Sequence, residues 1–308
     1  MTATAALDDG LISQYTFLPD PGTFTIPNCT GSGCVLHNNA FESLKSLDVA
    51  TALTASDDVF FYTLGYDFWI GSSRYGKTPI QSEAANYGFG RPSGIDLPNE
   101  YSGQVDSPAL RQLQHRQAPK AFPYPYYGVA DNLELAFGQG ETVVTPIQIA
   151  NAFATFANGG TRYAPQLAAG VVSPSGTVLK RFAPQITGHV SLPPSTYDPM
   201  MQGFEGVILN TTYGTASLTF AGYPYSALPI AGKTGTATES TNTNIQPTAW
   251  FVAFGPTPPA KAQYVVAVVI DQAGYGAAAA APVVRKVFQY LIKHPVGPVQ
   301  LRPASAGG

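Results

Sequence analysis

The chain has 308 residues, of which 44% are hydrophobic and 11% are charged, and its formal net charge is −3. This composition excludes a charged disordered chain, which would combine low hydrophobicity with high net charge. The small negative charge gives no reason to expect nucleic acid as a partner. No run of 18 or more apolar residues occurs, so the sequence predicts no transmembrane helix.

The beginning of the chain predicts a helix, a loop-dominated insert and a pair of helices. Residues 1–12 have the composition of a helix that stops at Gly10, without an N-cap residue before it. Residues 13–42 are rich in Pro, Gly, Thr and Asn and predict extended loops. Residues 46–53 have helical spacing, with Asp48 in the first turn. A polar break then precedes a second helix with the apolar side chains Phe60, Phe61, Leu64 and Phe68.

Two cysteines, Cys29 and Cys34, are separated by small, turn-forming residues. This spacing favours a disulfide and an oxidising compartment. Two unpaired thiols are the first alternative. A metal site that includes His37 is the second, although no fourth ligand is evident nearby.

The middle of the chain alternates short helices with loops rich in Gly and Pro, over residues 71–140. A longer helix is expected after Thr145 as N-cap, with Pro146 at its first position and a stop before Gly159. Residues 161–195 predict a strand hairpin with Pro-Ser-Gly at its turn.

The last third predicts strands that are packed against helices. Residues 198–212 and a segment that begins at Pro282 are expected to be helical. We expect one domain over residues 1–295 and a flexible tail over 296–308. Sequential strands with flanking helices predict an antiparallel sheet in an α+β fold. The three predicted strands are PIAGKTGTAT, AWFVAFGP and AQYVVAVVIDQ.

Lys233, Thr234 and Gly235 form the sharpest chemical signal, and Thr236 follows them on the same predicted strand. One ammonium and two hydroxyls on an edge strand can hold a substrate carboxylate by charge-assisted hydrogen bonds. Gly235 has no side chain, so an extended substrate can lie against the strand. Taken alone, the tripeptide is equally compatible with a solvated turn.

Ser56 and Asp58 stand at the predicted helical break, far along the chain from Lys233. A serine hydroxyl at such an elbow can relay a proton, and Asp58 can accept a hydrogen bond from a lysine or a substrate amide. Taken alone, these residues are more simply helix caps. Together with Lys-Thr-Gly they are similar to two of the three motifs in a signature set of serine acyltransferases and hydrolases, and this favours a reactive site.

These elements and their surroundings resemble the transpeptidase domain of class B penicillin-binding proteins of the elongation type. The resemblance covers most of residues 45–290 in the family's order. It implies a penicillin-recognising α+β fold, with an antiparallel sheet flanked by helices and an all-helical subdomain. The segments that carry it are TASDDVFFYTLG, YGFGRPSGIDLP, FGQGETVVTPIQIANAFATFANGG, AGKTGTA and AWFVAFGP.

The resemblance also implies a role for each matching residue. Ser56 would transfer a proton to and from an amine, and Lys233 would support the Ser56 hydroxyl and the substrate carboxylate. Thr234 and Thr236 would bind that carboxylate, and the Thr236 N–H would be one oxyanion donor. Asp58 takes the place that Asn usually holds, which is similar to the enzymes of cell elongation.

The chain departs from the family at the nucleophile. The family's serine lies in Ser-x-x-Lys at the start of a core helix, but no serine here is followed by Lys three residues later. Since the opening MTATAALDDG is similar to the residues after that lysine, we expect the chain to begin just after the motif. The membrane anchor, a pedestal domain and the first strands of the sheet would then precede it, which leaves AQYVVAVVIDQ with an unpaired edge. The alternative is a pseudoenzyme.

The resemblance implies a peptidoglycan D,D-transpeptidase that needs no metal or organic cofactor. Its expected partners are stem peptides, β-lactams and the cell-elongation machinery, at the cell membrane with the catalytic domain outside the cytoplasm. The chain alone is expected to be inactive. The alternatives are a D,D-carboxypeptidase or β-lactamase, which use water as acceptor, and a non-catalytic sensor of wall peptides or β-lactams.

Overall fold

The computed structural model describes residues 1–31, 33–38, 43–238, 244–297 and 299–301, so most of the predicted tail lies outside the described residues. The helices are α1 (Thr2–Asp8), α2 (Val49–Ala55), α3 (Asp58–Ile70), α4 (Ser72–Tyr75), α5 (Pro79–Tyr87), α6 (Pro108–Gln117), α7 (Val129–Phe137), α8 (Pro146–Ala157), α9 (Pro194–Leu209) and α10 (Gly276–Lys293). The strands are β1 (Leu18–Asp20), β2 (Thr23–Thr25), β3 (Val35–His37), β4 (Lys45–Leu47), β5 (Thr161–Tyr163), β6 (Gly170–Val172), β7 (Val178–Arg181), β8 (Ile186–His189), β9 (Ala231–Ala237), β10 (Thr248–Gly255) and β11 (Tyr264–Ile270).

A three-stranded antiparallel sheet in the order β11–β10–β9 is covered by helices on both faces. Phe251 of β10 belongs to the core cluster that α10 completes with Phe288. Phe254, three residues later, contacts the rings of Phe153 on α8 and Phe204 on α9. The side chains of β10 therefore pack against two separate helical layers, and the predicted α+β arrangement is confirmed.

Both outer strands of this sheet have one edge that is not paired within the described part of the chain. β9 and β11 each pair with β10 alone. The unpaired edge that was expected on AQYVVAVVIDQ is therefore present among the described residues. The edge of β9 is the more consequential one, because it carries Lys233 and Thr234.

The first half of the chain is mainly helical, with two short antiparallel pairs, β1–β4 and β2–β3. β1, β2 and β3 lie inside the expected loop-dominated insert. The helix that was predicted over 46–53 begins only at Val49. Asp48 is its N-cap rather than a first-turn residue, because its carboxylate accepts a hydrogen bond from Thr51 N at 2.8 Å. The preceding residues Lys45–Leu47 form β4 instead.

A disulfide joins Cys29 and Cys34 and closes the connection between β2 and β3. The predicted disulfide is therefore confirmed, and the two alternatives, unpaired thiols and a metal site, are wrong. The hairpin packs on α3, where the Phe24 ring lies 6.2 Å from that of Tyr62 and 5.8 Å from that of Tyr66. The disulfide therefore stabilises a hairpin that rests against the helix of Asp58.

Two helix starts were predicted too late. α9 begins at Pro194, and a proline fits the first turn because that position needs no N–H donor. α10 begins at Gly276, so the predicted start at Pro282 is wrong. The alanine run before Pro282 has the highest helix propensity, which offsets the one hydrogen bond that the proline ring removes. No helix among the described residues is both long and apolar enough for a membrane span.

α9 sets the distance between α2 and the sheet, since it packs against both α2 and β9. Gly203 makes the close approach possible: a Cβ there would lie 2.7 Å from Leu53 Cβ and 3.0 Å from Ala50 O. The Thr54 hydroxyl donates to the Gly203 carbonyl at 3.2 Å. The C-terminal end of α2, where Ser56 follows, is thereby held near β9.

We expect Gly203→Val to lower the free energy of unfolding by about 1–3 kcal/mol, because the new side chain forces α9 away from α2. Chemical denaturation followed by circular dichroism measures the change. Gly33→Val is the control, since no atom lies within 4 Å of a Cβ built at Gly33. Equal effects of the two substitutions would contradict the packing argument.

Candidate active site

Ser56 occupies the elbow between α2 and α3 in a left-handed backbone conformation, with φ 57° and ψ 51°. Such a conformation costs about 1–2 kcal/mol for a residue with a Cβ, so it persists only where the surroundings enforce it. Asp57 N donates to Ala52 O at 3.0 Å, and the Asp57 carboxylate accepts from Phe60 N at 2.7 Å. The end of one helix and the cap of the next therefore fix Ser56 between them.

The Lys233 ammonium donates to Ser56 Oγ at 2.7 Å, across 177 residues of sequence. It also donates to the Thr234 carbonyl at 3.1 Å and lies 3.5 Å from Thr234 Oγ1. Ser56, Lys233 and Thr234 are each partly buried. The structure thus brings two of the predicted groups into direct contact beside the edge of β9.

Burial lowers the pKa of Lys233 to about 8, and the nearby carboxylate of Asp58 offsets part of this effect. Asp58 lies in the first turn of α3, two residues after Ser56. A lysine with such a pKa exchanges its proton near neutral pH. Lys233 is therefore equipped both to hold an anion and to exchange a proton with the hydroxyl that it contacts.

The other predicted residues continue along β9. Thr234 Oγ1 contacts Thr215 Oγ1 at 2.8 Å, so a second hydroxyl that the sequence analysis missed joins the site. Gly235 has a packing reason to lack a side chain, because a Cβ would lie 3.1 Å from Trp250 Cβ. Thr236 pairs with Ala249 in the ladder.

Gln139 was also missed, and its side-chain amide donates to the Thr236 carbonyl at 2.9 Å. Because the N–H and C=O of one strand residue point to the same side, the Thr236 N–H also faces the open edge. Gly138 and Gly140 flank Gln139 with φ of 94° and 71°, values that favour glycine. The Gly-Gln-Gly spacing was the available signal, since paired glycines around a polar residue indicate a shaped loop.

Two buried carboxylates, Asp20 and Asp57, lie beneath the elbow, each 1% exposed. The Asn38 amide donates to Asp20 Oδ1 at 3.0 Å and to Asp57 Oδ2 at 2.7 Å. Burial and the neighbouring charge of Asp20 raise the pKa of Asp57 to about 6, although hydrogen bonds from Phe60 N and Asn38 act against this. Within the described ranges, no group of three or more His, Cys, Asp or Glu side chains is placed to hold a metal ion.

The comparisons with known proteins agree with this geometry. The family described as penicillin binding protein transpeptidase domain matches residues 1–289. The peptidoglycan D,D-transpeptidase MrdA of Haemophilus influenzae is 27% identical over 309 residues, which cover 94% of this chain and 42% of that protein. MrdA of Salmonella typhimurium is 30% identical over 305 residues, with 94% and 44% covered. The chain therefore spans less than half the length of these relatives.

Solved structures show the same fold. The Pseudomonas aeruginosa PBP2 structure in complex with WCK 5153 has a TM-score of 0.74 and 26% identity, and the match covers 97% of this chain and 60% of that one. Penicillin-binding protein 2B of Streptococcus pneumoniae strain R6 has a TM-score of 0.74 at 23% identity, over 97% of this chain and 47% of that one.

An antiparallel sheet whose edge lysine contacts a serine at a helical elbow defines the penicillin-recognising class of proteins. The chain belongs to the family of penicillin-binding protein transpeptidase domains. Within that family it is of the PBP2/MrdA, elongation type of class B.

We expect one of the eight lysines to titrate with a midpoint of about 8, and Asp58→Asn to lower that midpoint, because it removes the carboxylate that favours the ammonium. Carbon-13 NMR of ε-labelled lysine follows each side chain over pH, and Lys233→Arg assigns the signal. Asp48→Asn, at the other end of α2, is the control that leaves the midpoint in place. A Lys233 midpoint near the ordinary value of about 10.4 would refute the desolvated site.

The raised pKa of Asp57 predicts a stability that falls as pH increases from about 4 to about 6. In this window the folded state binds more protons than the unfolded state, whose carboxyl has its ordinary pKa. We expect a loss of about 1–2 kcal/mol after solvent screening is allowed for. The measurement is the free energy of unfolding at several pH values, with wild type compared with Asp57→Asn.

Asp57→Asn should remove this component of the pH dependence and keep the cap, since Asn also caps helices. Ser82→Ala, an exposed substitution that changes no carboxyl group, is the control and should keep the wild-type slope. Parallel slopes for wild type and Asp57→Asn would contradict the assignment.

Proposed function

We propose that the chain is the acyl-transfer domain of a peptidoglycan D,D-transpeptidase and that residues 1–295 form this domain. The contact of 2.7 Å between Lys233 Nζ and Ser56 Oγ at the open edge of β9 carries the proposal. It joins a proton-transfer pair to a strand that can receive an extended peptide. The names of the MrdA relatives support the same reaction.

In the proposed reaction, a serine oxygen attacks the carbonyl carbon of the penultimate D-Ala of a stem peptide. The C–N bond to the terminal D-Ala breaks, and the proton that the attacking hydroxyl releases reaches the departing nitrogen through Ser56. An amine of a neighbouring strand then attacks the ester, releases the serine and gives up a proton by the reverse route. Lys233 keeps the Ser56 hydroxyl in place and attracts the substrate carboxylate.

The residues of β9 and α3 bind the substrate in this proposal. Thr234 and Thr236 donate hydroxyl hydrogen bonds to its carboxylate, and the Thr236 N–H stabilises the oxyanion. Gly235 leaves room for the extended peptide. Asp58 accepts from a substrate amide and favours the charged form of Lys233.

We further propose that residues 1–308 do not acylate on their own, because the family's nucleophile lies in Ser-x-x-Lys and the sequence has no such motif. The domain is proposed to be part of a membrane-anchored protein and to act outside the cytoplasm. The disulfide supports this location, because disulfides persist in oxidising compartments. Stem peptides, β-lactams and the elongation machinery are the proposed partners. A PBP2 of Helicobacter pylori has been solved as a complex with MreC.

Fluorescent penicillin tests the proposal in two proteins, the 308-residue chain and the same chain extended at its amino end by a Ser-x-x-Lys segment of an MrdA relative. We expect a covalent adduct in the extended protein only. Ser56→Ala should slow its formation about 100-fold or more, since positioned proton transfer contributes that much. Ser82 is an exposed residue of α5 whose hydroxyl donates to Thr78 O, and Ser82→Ala should leave the rate unchanged.

Each result has a distinct meaning. A folded extended protein without an adduct would support a non-catalytic sensor and overturn the transpeptidase. An adduct on the 308-residue chain would overturn the proposed absence of the nucleophile. Product analysis with a stem peptide and an acceptor amine separates transfer from hydrolysis, and free acid as the sole product would indicate a carboxypeptidase.

A further inference from the structure

Asn38 makes an unusually complete set of side-chain hydrogen bonds beneath the site. Its Nδ2 donates to Asp20 Oδ1 at 3.0 Å and to Asp57 Oδ2 at 2.7 Å, and its Oδ1 accepts from Val59 N at 2.9 Å. Both amide hydrogens and the carbonyl oxygen therefore have partners. Among side chains of this size, only an amide offers two donors and an acceptor, since aspartate has no donor when ionised and leucine has neither.

The partners of Asn38 connect two parts of the fold. Asp20 ends β1, and its carboxylate also accepts from Gly22 N and Leu44 N, so it is anchored in the β1–β4 layer. Asp57 and Val59 belong to the first turn of α3 and its cap. The amide of Asn38 thus links the start of α3 to β1 by direct hydrogen bonds.

The segment that carries Asn38 is itself held firmly. Asn38 follows β3, its N–H donates to Gly22 O at 3.2 Å, and the disulfide of Cys29 and Cys34 closes the hairpin. Ile26 of this hairpin packs with Val59 in one buried cluster. The amide is therefore presented to the elbow from a stable support.

The elbow needs such a support, because Ser56 has a strained left-handed backbone and must keep its hydroxyl at Lys233. Asp57 is the next residue, and two hydrogen bonds fix the orientation of its carboxylate. One comes from Phe60 N as part of the cap of α3, and the other comes from the Asn38 amide. Two buried carboxylates side by side would also repel each other without donors between them. The amide supplies those donors without adding a charge.

We propose that Asn38 is a positioning residue of the Ser56–Lys233 site, which fixes the helical elbow by clamping Asp57 and the first turn of α3 to Asp20. Loss of the amide frees the elbow, lets water reach the Lys233 ammonium and moves Ser56 away from it. The importance of this role for catalysis rests on the proposed function. The test of the role is independent of that function, because the titration of Lys233 requires no acyl transfer.

The experiment is the carbon-13 titration of Lys233 in the 308-residue chain with Asn38→Ala. We expect the Lys233 midpoint to rise by about one pH unit towards the ordinary lysine value, because desolvation is relieved. A change of charge at Asp57 does not explain a rise, since loss of a neighbouring negative charge lowers the pKa of an ammonium.

Asn158→Ala is the matched control. That asparagine also makes two hydrogen bonds through its side chain, both to Thr161, but at the far end of α8. It should lower the melting temperature and leave the Lys233 midpoint unchanged. An unchanged midpoint in a folded Asn38→Ala protein, or an equal shift in both variants, would overturn the positioning role.

A charge-conserving exchange, Asn38→Asp with Asp57→Asn, gives a second test if Asn38→Ala does not fold. The pair keeps one amide and one carboxylate at the same two positions, and the new amide at 57 can donate to Asp20 and to position 38. We expect a folded protein with the wild-type Lys233 midpoint. A displaced midpoint, or no fold, would contradict the clamp.

The two proposals fail separately. If the titration fails while the extended protein still forms an adduct with penicillin, Asn38 is only structural and the acyltransferase stands. If Asn38→Ala shifts the midpoint but no adduct forms, the clamp stands and the proposed reaction does not.

Discussion

The contact between Lys233 and Ser56 is the interaction on which the site depends, and its formation requires the desolvation of a charged group. An ammonium that is withdrawn from water loses hydration, and only well-placed acceptors offset that loss. Ser56 Oγ and the Thr234 carbonyl provide hydrogen bonds, while Asp58 provides the opposite charge. Since these acceptors come from two distant parts of the chain, the fold must hold a helical elbow against an edge strand to within tenths of an ångström.

Two supports act on that elbow. α9 packs between α2 and β9, and Gly203 permits the close approach of the α9 backbone to α2. Asn38 and Asp20 form the second support, which holds the start of α3 through Asp57. Ser56 lies between these two supports, so its left-handed backbone is maintained by packing and by hydrogen bonds at once.

The parts of this site that depend on local chemistry could be predicted from the sequence. Lys-Thr-Gly on a strand and a polar break between two helices are readable patterns, and the family resemblance that they help to carry implied the contact of Lys233 with Ser56. Gln139 and Asn38 were missed, because an amide has meaning only through its partners and those are set by tertiary structure. The start of α10 was misplaced for a different reason: an alanine run overrides the local signal of Pro282.

The pKa values of Lys233 and Asp57 give the two groups different charge states and therefore different roles near neutral pH. Near pH 7, a Lys233 with a pKa of about 8 is mainly protonated and can attract a carboxylate, yet about one molecule in ten has the neutral amine that can accept a proton. An ordinary lysine would be neutral in fewer than about one in a thousand. Asp57, with a pKa of about 6, has by then released most of its proton, so its carboxylate is mainly charged. The donors of Asn38 matter most at this pH, because the Asp57 carboxylate that accepts from the amide is then mainly ionised.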